Sequence, residues 1–225
     1  MYRQVGIVGV GLIGASIGRA LKGRHLCKRV IGVGRSHQSL AEAHSAGAID
    51  ESHERIGAEL AQAEMVVVAT PVPLVAEMVA RLRTVVSPDA VITDAASTKA
   101  GILRAVQAPS ADGSRVAEFV GSHPMAGSHR RGPLASDPDL FQGRTCVVVR
   151  GSASDRSRDR VCAFWQAIGM KVEEMSAEEH DERVARISHV PHIASYGLAL
   201  ASEVGDLPLA GPGFRDTTRL AGSPP

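Results

Sequence analysis

The chain has 225 residues, of which 44% are hydrophobic, which is enough apolar material for one full core and part of a second. Its formal net charge of +1 provides no broad attraction to a phosphate backbone. Aromatic residues make up only 3% of the chain and are too few for a base-stacking platform. These values argue against a nucleic-acid partner.

The cysteine pattern and the hydropathy predict a cytoplasmic protein. Cys27, Cys146 and Cys162 are odd in number and form no C-x-x-C pair, so a closed disulfide framework is not expected. The apolar run over residues 5–10 is short and interrupted by glycine, and no stretch of about 18 apolar residues occurs. We therefore expect neither a secretion signal nor a membrane span.

Short β-branched runs alternate with segments of helical period along the first three quarters of the chain. This pattern is typical of an α/β fold, with a parallel, doubly wound sheet covered by helices. The predicted strands are residues 4–8, 30–33, 65–69, 90–93, 118–121, 145–149 and 171–175. We expect a Rossmann-type domain over residues 1–175.

A helical domain is predicted to follow over residues 176–225. Ser176 and Glu179 have the spacing of a capping box, and they open a long apolar helix with no further strand signal up to Asp206. Ile193, Leu198 and Leu200 on this helix predict an exposed apolar face that favours association.

A glycine motif after the first strand predicts a dinucleotide site. Gly9, Gly11 and Gly14 fit the G-x-G-x-x-G pattern, in which glycine permits a tight turn, a close backbone approach to a pyrophosphate, and close helix packing. Together with Leu12 and Ile13 they place phosphate at a helix N-terminus, where free amides and the helix dipole favour an anion. A Gly-rich β-turn without a ligand is the alternative.

The end of the second strand predicts the preferred cofactor. An acidic residue at this point would bind the ribose hydroxyl of NAD, but the chain has Arg35 and Ser36. A guanidinium and a hydroxyl suit the additional phosphate of NADP. We therefore expect NADP to be preferred over NAD, with an unliganded surface arginine as the alternative.

Polar segments follow three further strands at the edge where such sheets bind ligands. They are Thr70-Pro71, the segment from Asp94 through Ser97 to Lys99, and Ser122-His123-Pro124. Helix capping by Asp94 or Ser97 is the alternative for the second segment. His123 is the candidate proton acceptor, because an imidazole exchanges protons near neutral pH and Pro124 restricts its backbone.

The chain resembles the prephenate/arogenate dehydrogenases of tyrosine biosynthesis over nearly its whole length. The segments that carry the resemblance are G-V-G-L-I-G at 9–14, A-T-P-V at 69–72, D-A-A-S-T-K at 94–99, G-S-H-P-M-A-G at 121–127, S-H-V-P-H at 188–192 and G-F-R-D-T-T-R at 213–219. The segments at 121–127, 188–192 and 213–219 form a combination that we associate with no other dehydrogenase family.

The resemblance implies an oxidative decarboxylation that uses NADP or NAD, needs no metal, and in the full-length family form takes place in a homodimer. His123 is then the base for the ring hydroxyl, and Ser97 holds its imidazole. Arg219 is expected to bind a substrate carboxylate, with His192 and Ser128 as further substrate contacts. The sequence does not distinguish prephenate from arogenate.

Two departures from the family pattern and three alternatives stay open at this point. His129 stands where an acidic residue is expected, and the chain stops at Pro225 where relatives continue, so a truncated product is predicted. One alternative is an NADP-binding protein without turnover, and another is a β-hydroxyacid-type dehydrogenase, although no lysine follows Met175 as its base. A zinc site at His180, Asp181, His189 and His192 lacks a supporting ligand motif. His189 is better explained as a packing residue.

Overall fold

A computed structural model describes residues 1–106, 115–128 and 130–222 of the chain. The strands in this part are β1 (Tyr2–Val8), β2 (Cys27–Val33), β3 (Glu51–His53), β4 (Met65–Val68), β5 (Val91–Asp94), β6 (Glu118–Val120), β7 (Ser122–Pro124), β8 (Thr145–Arg150) and β9 (Lys171–Ser176). The α-helices are α1 (Leu12–Gly23), α2 (His37–Ser45), α3 (Val75–Arg83), α4 (Ala100–Val106), α5 (Asp155–Ala167), α6 (Ala177–Val184), α7 (Val190–Leu200) and α8 (Pro212–Thr218).

The main sheet has six strands in the order β3-β2-β1-β4-β5-β6, and all neighbouring pairs are parallel. This order reverses beside β1, which creates the crevice in which doubly wound sheets bind dinucleotides. The predicted α/β class with a Rossmann-type sheet is confirmed.

Each face of the sheet has its own hydrophobic core, because side chains alternate along a strand. In β4, Met65 and Val67 belong to one buried cluster, while Val66 and Val68 belong to the other. The first cluster also receives Ile17 from α1. Continuous apolar strands of this kind are typical of parallel sheets covered on both faces.

Two strands were not predicted. β3 forms the edge of the main sheet, and β7 begins a separate three-stranded sheet in the order β7-β8-β9. The first pair of this second sheet is antiparallel and the second pair is parallel. Ser122–Pro124, predicted as a polar segment that follows a strand of the main sheet, is itself a short strand and pairs with β8.

The charged segment that begins at Asp155 forms α5. Ser154 caps it by accepting a hydrogen bond from the backbone N–H of Ser157 at 3.3 Å. Gly169 follows the helix with a φ of +103°, a conformation that glycine adopts readily.

The contacts of the chain divide it into an N-terminal unit, Met1–Glu178, and a C-terminal unit, Glu179–Pro225. The predicted long helix is interrupted by the π-helical segment Ala185–His189 and ends at Leu200. A 3-10 helix, Val204–Leu209, follows it. No helix in the described ranges is both long and apolar enough to cross a membrane.

Candidate active site

The glycine loop between β1 and α1 has a geometry that other residues would not tolerate. Gly9 has a φ of +97°, and a Cβ atom on it would lie 2.5 Å from the carbonyl oxygen of Ala69. A Cβ atom on Gly14 would lie 2.0 Å from the carbonyl oxygen of Gly9. Both glycines are therefore required for the close packing of α1 on the sheet.

The N-terminus of α1 is open to an anion. Gly11 is its N-cap residue and makes no side-chain cap, and no atom of the described residues lies within 4 Å of the position of a Cβ atom on it. The first turn contains no acidic residue, and its residues Leu12 and Ile13 are half-buried. Uncapped amides and the helix dipole together provide a phosphate-binding position.

Arg35 and Ser36 are both exposed directly after β2. Ser36 is also the N-cap residue of α2, where its Oγ accepts a hydrogen bond from the backbone N–H of Ser39 at 3.2 Å. This bond occupies the hydroxyl as an acceptor and leaves its O–H available as a donor.

Thr70 and Pro71 follow β4, the neighbour of β1 in the sheet. The Thr70 hydroxyl oxygen is buried and has no hydrogen-bond partner within the described part of the chain. Such groups are uncommon in folded proteins, so a bound polar ligand is a reasonable partner for it. Pro71 is exposed and precedes the 3-10 turn Val72–Leu74.

A buried ion pair stands at the carboxyl end of β5. Asp94 and Lys99 are both fully buried, and the Lys99 ammonium contacts Oδ2 of Asp94. Lys99 Nζ also donates to the carbonyl of Ser122 at 2.8 Å, and Asp94 Oδ1 accepts from the Ser122 backbone N–H at 2.9 Å. The pair therefore forms hydrogen bonds with both the backbone N–H and the carbonyl of Ser122 in β7.

The hydroxyl of Ser122 is held by three further groups. Its Oγ lies 2.5 Å from the carbonyl of Asp94 and 2.8 Å from the hydroxyl of Thr93, and Nε1 of Trp165 donates to it at 2.9 Å. All of these side chains are buried. A fully satisfied buried network of this kind fixes a unique arrangement.

His123 is the middle residue of β7 and is half-buried. Beside its backbone lies the thiol of Cys146, whose pKa is raised well above its usual value by burial. Ser97 is exposed in the loop that joins β5 to α4. Ser128 is also exposed, and its Oγ accepts a hydrogen bond from the backbone N–H of Arg130 at 3.2 Å.

The remaining predicted site residues lie in the C-terminal unit. His192 is half-buried in α7, and its Nδ1 lies 2.9 Å from the carbonyl of Ser188. A carbonyl only accepts, so the neutral ring carries its proton on Nδ1 and accepts at Nε2. Arg219 is exposed at the end of α8. The backbone N–H of Ala221 donates to Ser195 Oγ at 3.0 Å, which ties the segment after Arg219 to α7.

Two of the sequence interpretations concern residues that the structure places differently or does not describe. His189, interpreted as a packing residue, is exposed. His129 lies outside the described residues.

The residues considered for a zinc site do not form one. His180 Nδ1 lies 2.8 Å from Asp181 Oδ1, and within the described ranges no group of three or more His, Cys, Asp or Glu side chains is arranged to hold a metal ion.

The sequence did not predict the burial of Lys99, the participation of Trp165, or the hydrogen bonds that both make with Ser122. The available signal was a lysine five positions after an aspartate at a strand end, since lysine is almost never fully buried unless it is paired. Nothing in the local sequence indicates that the partner of this pair is the backbone of Ser122, which lies 23 residues beyond Lys99.

The fold and the glycine loop define a Rossmann-type dinucleotide-binding protein with a helical C-terminal unit. The chain belongs to the prephenate dehydrogenase family. The family's nucleotide-binding domain matches residues 17–174, and its dimerization domain matches residues 176–225. This membership favours the prephenate/arogenate interpretation over the β-hydroxyacid dehydrogenase alternative.

Individual relatives agree with the family assignment. Prephenate dehydrogenase of Bacillus subtilis is 34% identical over 97% of this chain and 60% of its own length. The chain thus spans about three fifths of the length of the curated relatives it matches first. Among solved structures, prephenate dehydrogenase from A. aeolicus with hydroxyphenyl propionate and NAD+ has a TM-score of 0.88, 30% identity, and coverage of 100% of this chain and 80% of that one. Synechocystis arogenate dehydrogenase has a TM-score of 0.81, 29% identity, and coverage of 99% and 80%.

Proposed function

We propose that this protein catalyses the NAD(P)-dependent oxidative decarboxylation of prephenate or arogenate. The observation that carries the proposal is the match of both family domains to a chain whose nucleotide loop is geometrically suited to a dinucleotide. Two features support a cofactor at this edge of the sheet: the open N-terminus of α1, and the buried hydroxyl of Thr70, which has no hydrogen-bond partner among the described residues.

In the proposed reaction, His123 accepts the proton of the ring hydroxyl. The nicotinamide, when bound, supplies a hydride acceptor for the ring carbon that carries this hydroxyl. The ring carboxylate leaves as carbon dioxide, and the electron pair of the broken bond completes the aromatic ring. Ser97 holds the imidazole, which keeps its accepting nitrogen directed at the hydroxyl. Prephenate then gives 4-hydroxyphenylpyruvate, and arogenate gives tyrosine.

Three residues are proposed to bind the substrate. Arg219 is suited to a substrate carboxylate, because a planar guanidinium donates two parallel hydrogen bonds to it. Its position is supported by the bond between Ala221 and Ser195. His192 offers Nε2 as an acceptor, and Ser128 offers a hydroxyl.

NADP is proposed as the preferred cofactor. Arg35 is exposed at the end of β2, and the neighbouring Ser36 keeps an O–H donor although its oxygen accepts the α2 cap. Both groups complement a 2′-phosphate, whereas the carboxylate that selects NAD at this position would repel it.

We further propose that the protein works in the cytoplasm as a homodimer. Cys27, Cys146 and Cys162 are free thiols, which suits a reducing compartment. The C-terminal unit matches a dimerization domain and exposes large apolar side chains that a second subunit would cover.

A four-way assay tests the proposed function. Purified protein is incubated with prephenate or arogenate and with NADP+ or NAD+, while reduced cofactor is followed by absorbance and the aromatic product by chromatography. We expect one substrate to be oxidised, with NADP+ giving the higher kcat/KM. Tight cofactor binding with no product from either substrate would instead support the alternative of a binding protein without turnover.

A further inference from the structure

The buried pair of Asp94 and Lys99 makes contacts that packing alone does not explain. One carboxylate oxygen contacts the ammonium, and the other accepts from the backbone N–H of Ser122 at 2.9 Å. The ammonium donates to the carbonyl of the same residue at 2.8 Å. The pair thus supplies an acceptor and a donor to a single residue, which an apolar pair of similar size cannot do.

The cost of burying two charges makes a purely stabilising role a weak explanation. A buried ion pair often contributes no more to stability than well-packed apolar residues would, because both charges lose their hydration. Here both side chains are fully buried. A role that needs the directed hydrogen bonds accounts for the pair better than stability does.

The pair also joins the two segments that carry the proposed proton chemistry. Asp94 and Lys99 stand at the two ends of a short loop, and Ser97 lies within this loop. Ser122, which the pair holds, is directly followed by His123 in β7. A single ion pair therefore ties the loop of Ser97 to the strand of His123.

We infer that Asp94 and Lys99 are positioning residues for the proton transfer, acting through Ser122 to fix His123 against the loop of Ser97. The inference rests on the proposed role of His123. Its physical basis is that small displacements of a reacting group cost rate without affecting distant binding contacts. The glycine loop and Arg35 make none of these contacts, so cofactor binding is expected to be independent of the pair.

The first test replaces Lys99→Met in the purified protein. We expect kcat to fall about tenfold to 100-fold, while the Kd for NADP+ changes less than about threefold. Because Lys99→Met leaves Asp94 buried without its cation, a double variant, Asp94→Asn with Lys99→Met, removes both charges and keeps an amide oxygen for the Ser122 N–H. It is expected to fold and to show the same loss of kcat. Unchanged kcat in the folded double variant would overturn the inference.

Val161→Ala serves as the matched control for stability. Val161 is fully buried in α5 and contributes only packing. We expect this control to lower the midpoint of thermal unfolding while keeping kcat within about twofold. If Val161→Ala lost as much kcat as the pair variants at an equal loss of stability, a merely structural role would explain both.

A double-mutant cycle separates this inference from the proposed function. If the pair acts through His123, Lys99→Met should reduce kcat less than about threefold in a His123→Asn background, because interacting residues are not additive. If the kcat loss of the combined His123→Asn and Lys99→Met variant equalled the product of the two single losses, the inference would be overturned. A His123→Asn variant with normal kcat would contradict the proposed base itself, whereas a large loss in His123→Asn with none in Lys99→Met would reject only the positioning role.

Discussion

The two units of the chain differ in how they bury their apolar residues. The N-terminal unit, Met1–Glu178, contains both hydrophobic clusters, one on each face of the main sheet. Among the described residues of the C-terminal unit, only His180, Val184 and Ser195 are buried. Its large exposed apolar side chains are Ile187, Val190, Ile193, Leu198, Leu200, Val204, Leu207 and Leu209.

This difference indicates which unit of the chain can form the cofactor site without the other. The N-terminal unit has a core that fixes the glycine loop, and its buried Asp94, Lys99 and Trp165 side chains form hydrogen bonds with Ser122. The C-terminal unit presents an apolar surface of the kind that marks an interaction site in a soluble protein. We therefore expect cofactor binding and proton chemistry to depend on the first unit, and assembly and substrate anchoring on the second.

The largest effect is expected from His123→Asn. Removing a general base lowers rates by about 10² to 10⁴, so kcat should fall on that scale while the Kd for NADP+ stays unchanged. The proposed activity of the unaltered protein should also fall toward acidic pH, because a protonated imidazole accepts no proton. His44→Asn, at an exposed histidine of α2, is the control and should leave kcat unchanged. Near-normal kcat in His123→Asn would move the search for the base to Ser97 or His192.

A smaller effect is expected from Arg219→Ala, on the KM for the substrate. Hydrogen bonds to a charged group contribute about 1.5 to 3 kcal/mol, so KM should rise roughly tenfold to 100-fold with a smaller change in kcat. Steady-state kinetics at saturating cofactor provides the measurement. Arg186→Ala, another exposed arginine of the same unit, should leave KM unchanged; equal increases in both variants would argue against a specific carboxylate contact.

Cofactor preference should respond to Arg35→Asp by about tenfold or more, because a carboxylate repels the 2′-phosphate and accepts from the ribose hydroxyls of NAD. Isothermal titration with both cofactors measures the change. Arg104→Asp makes the same charge change at an exposed position of α4 and controls for the overall field. If the unaltered protein bound NAD+ at least as tightly as NADP+, the assignment of Arg35 would be wrong.

The mildest expected change concerns association through the C-terminal unit. Ile193 is 70% exposed in α7 and Leu134 is 68% exposed in the N-terminal unit. Ile193→Glu should shift the protein toward monomer in light scattering at equal concentration, while Leu134→Glu should leave the distribution unchanged. A thermally robust monomer before any substitution would contradict the predicted association.

The sequence predicted most of the main sheet because its strands are short apolar, β-branched runs with clear turn signals. β3 and β7 were missed because they have only three residues each, Glu51–His53 and Ser122–Pro124, and neither is an apolar run. Their pairing depends on contacts distant in sequence, which local patterns do not contain.

The sequence predicted some parts of the candidate site and missed others, again because local patterns do not contain contacts between distant segments. Gly9 and Gly14 could be recognised because their spacing expresses a local steric requirement, which the close approaches to Ala69 and Gly9 confirm. The contacts of Lys99 with Ser122 could not be recognised, because they join segments 23 residues apart. The roles of His123 and Arg219 stay predictions, since they concern a substrate and not the folded chain.

We expect the N-terminal unit to contain the complete cofactor site, and titration of residues 1–178 with NADP+ tests this expectation most directly. The fragment should fold cooperatively, because both hydrophobic clusters lie within it. Its Kd should lie within about threefold of that of the 225-residue chain, a difference of less than about 0.7 kcal/mol in binding free energy. If the folded fragment bound NADP+ more than about 30-fold more weakly than the 225-residue chain, the N-terminal unit would not contain the complete cofactor site.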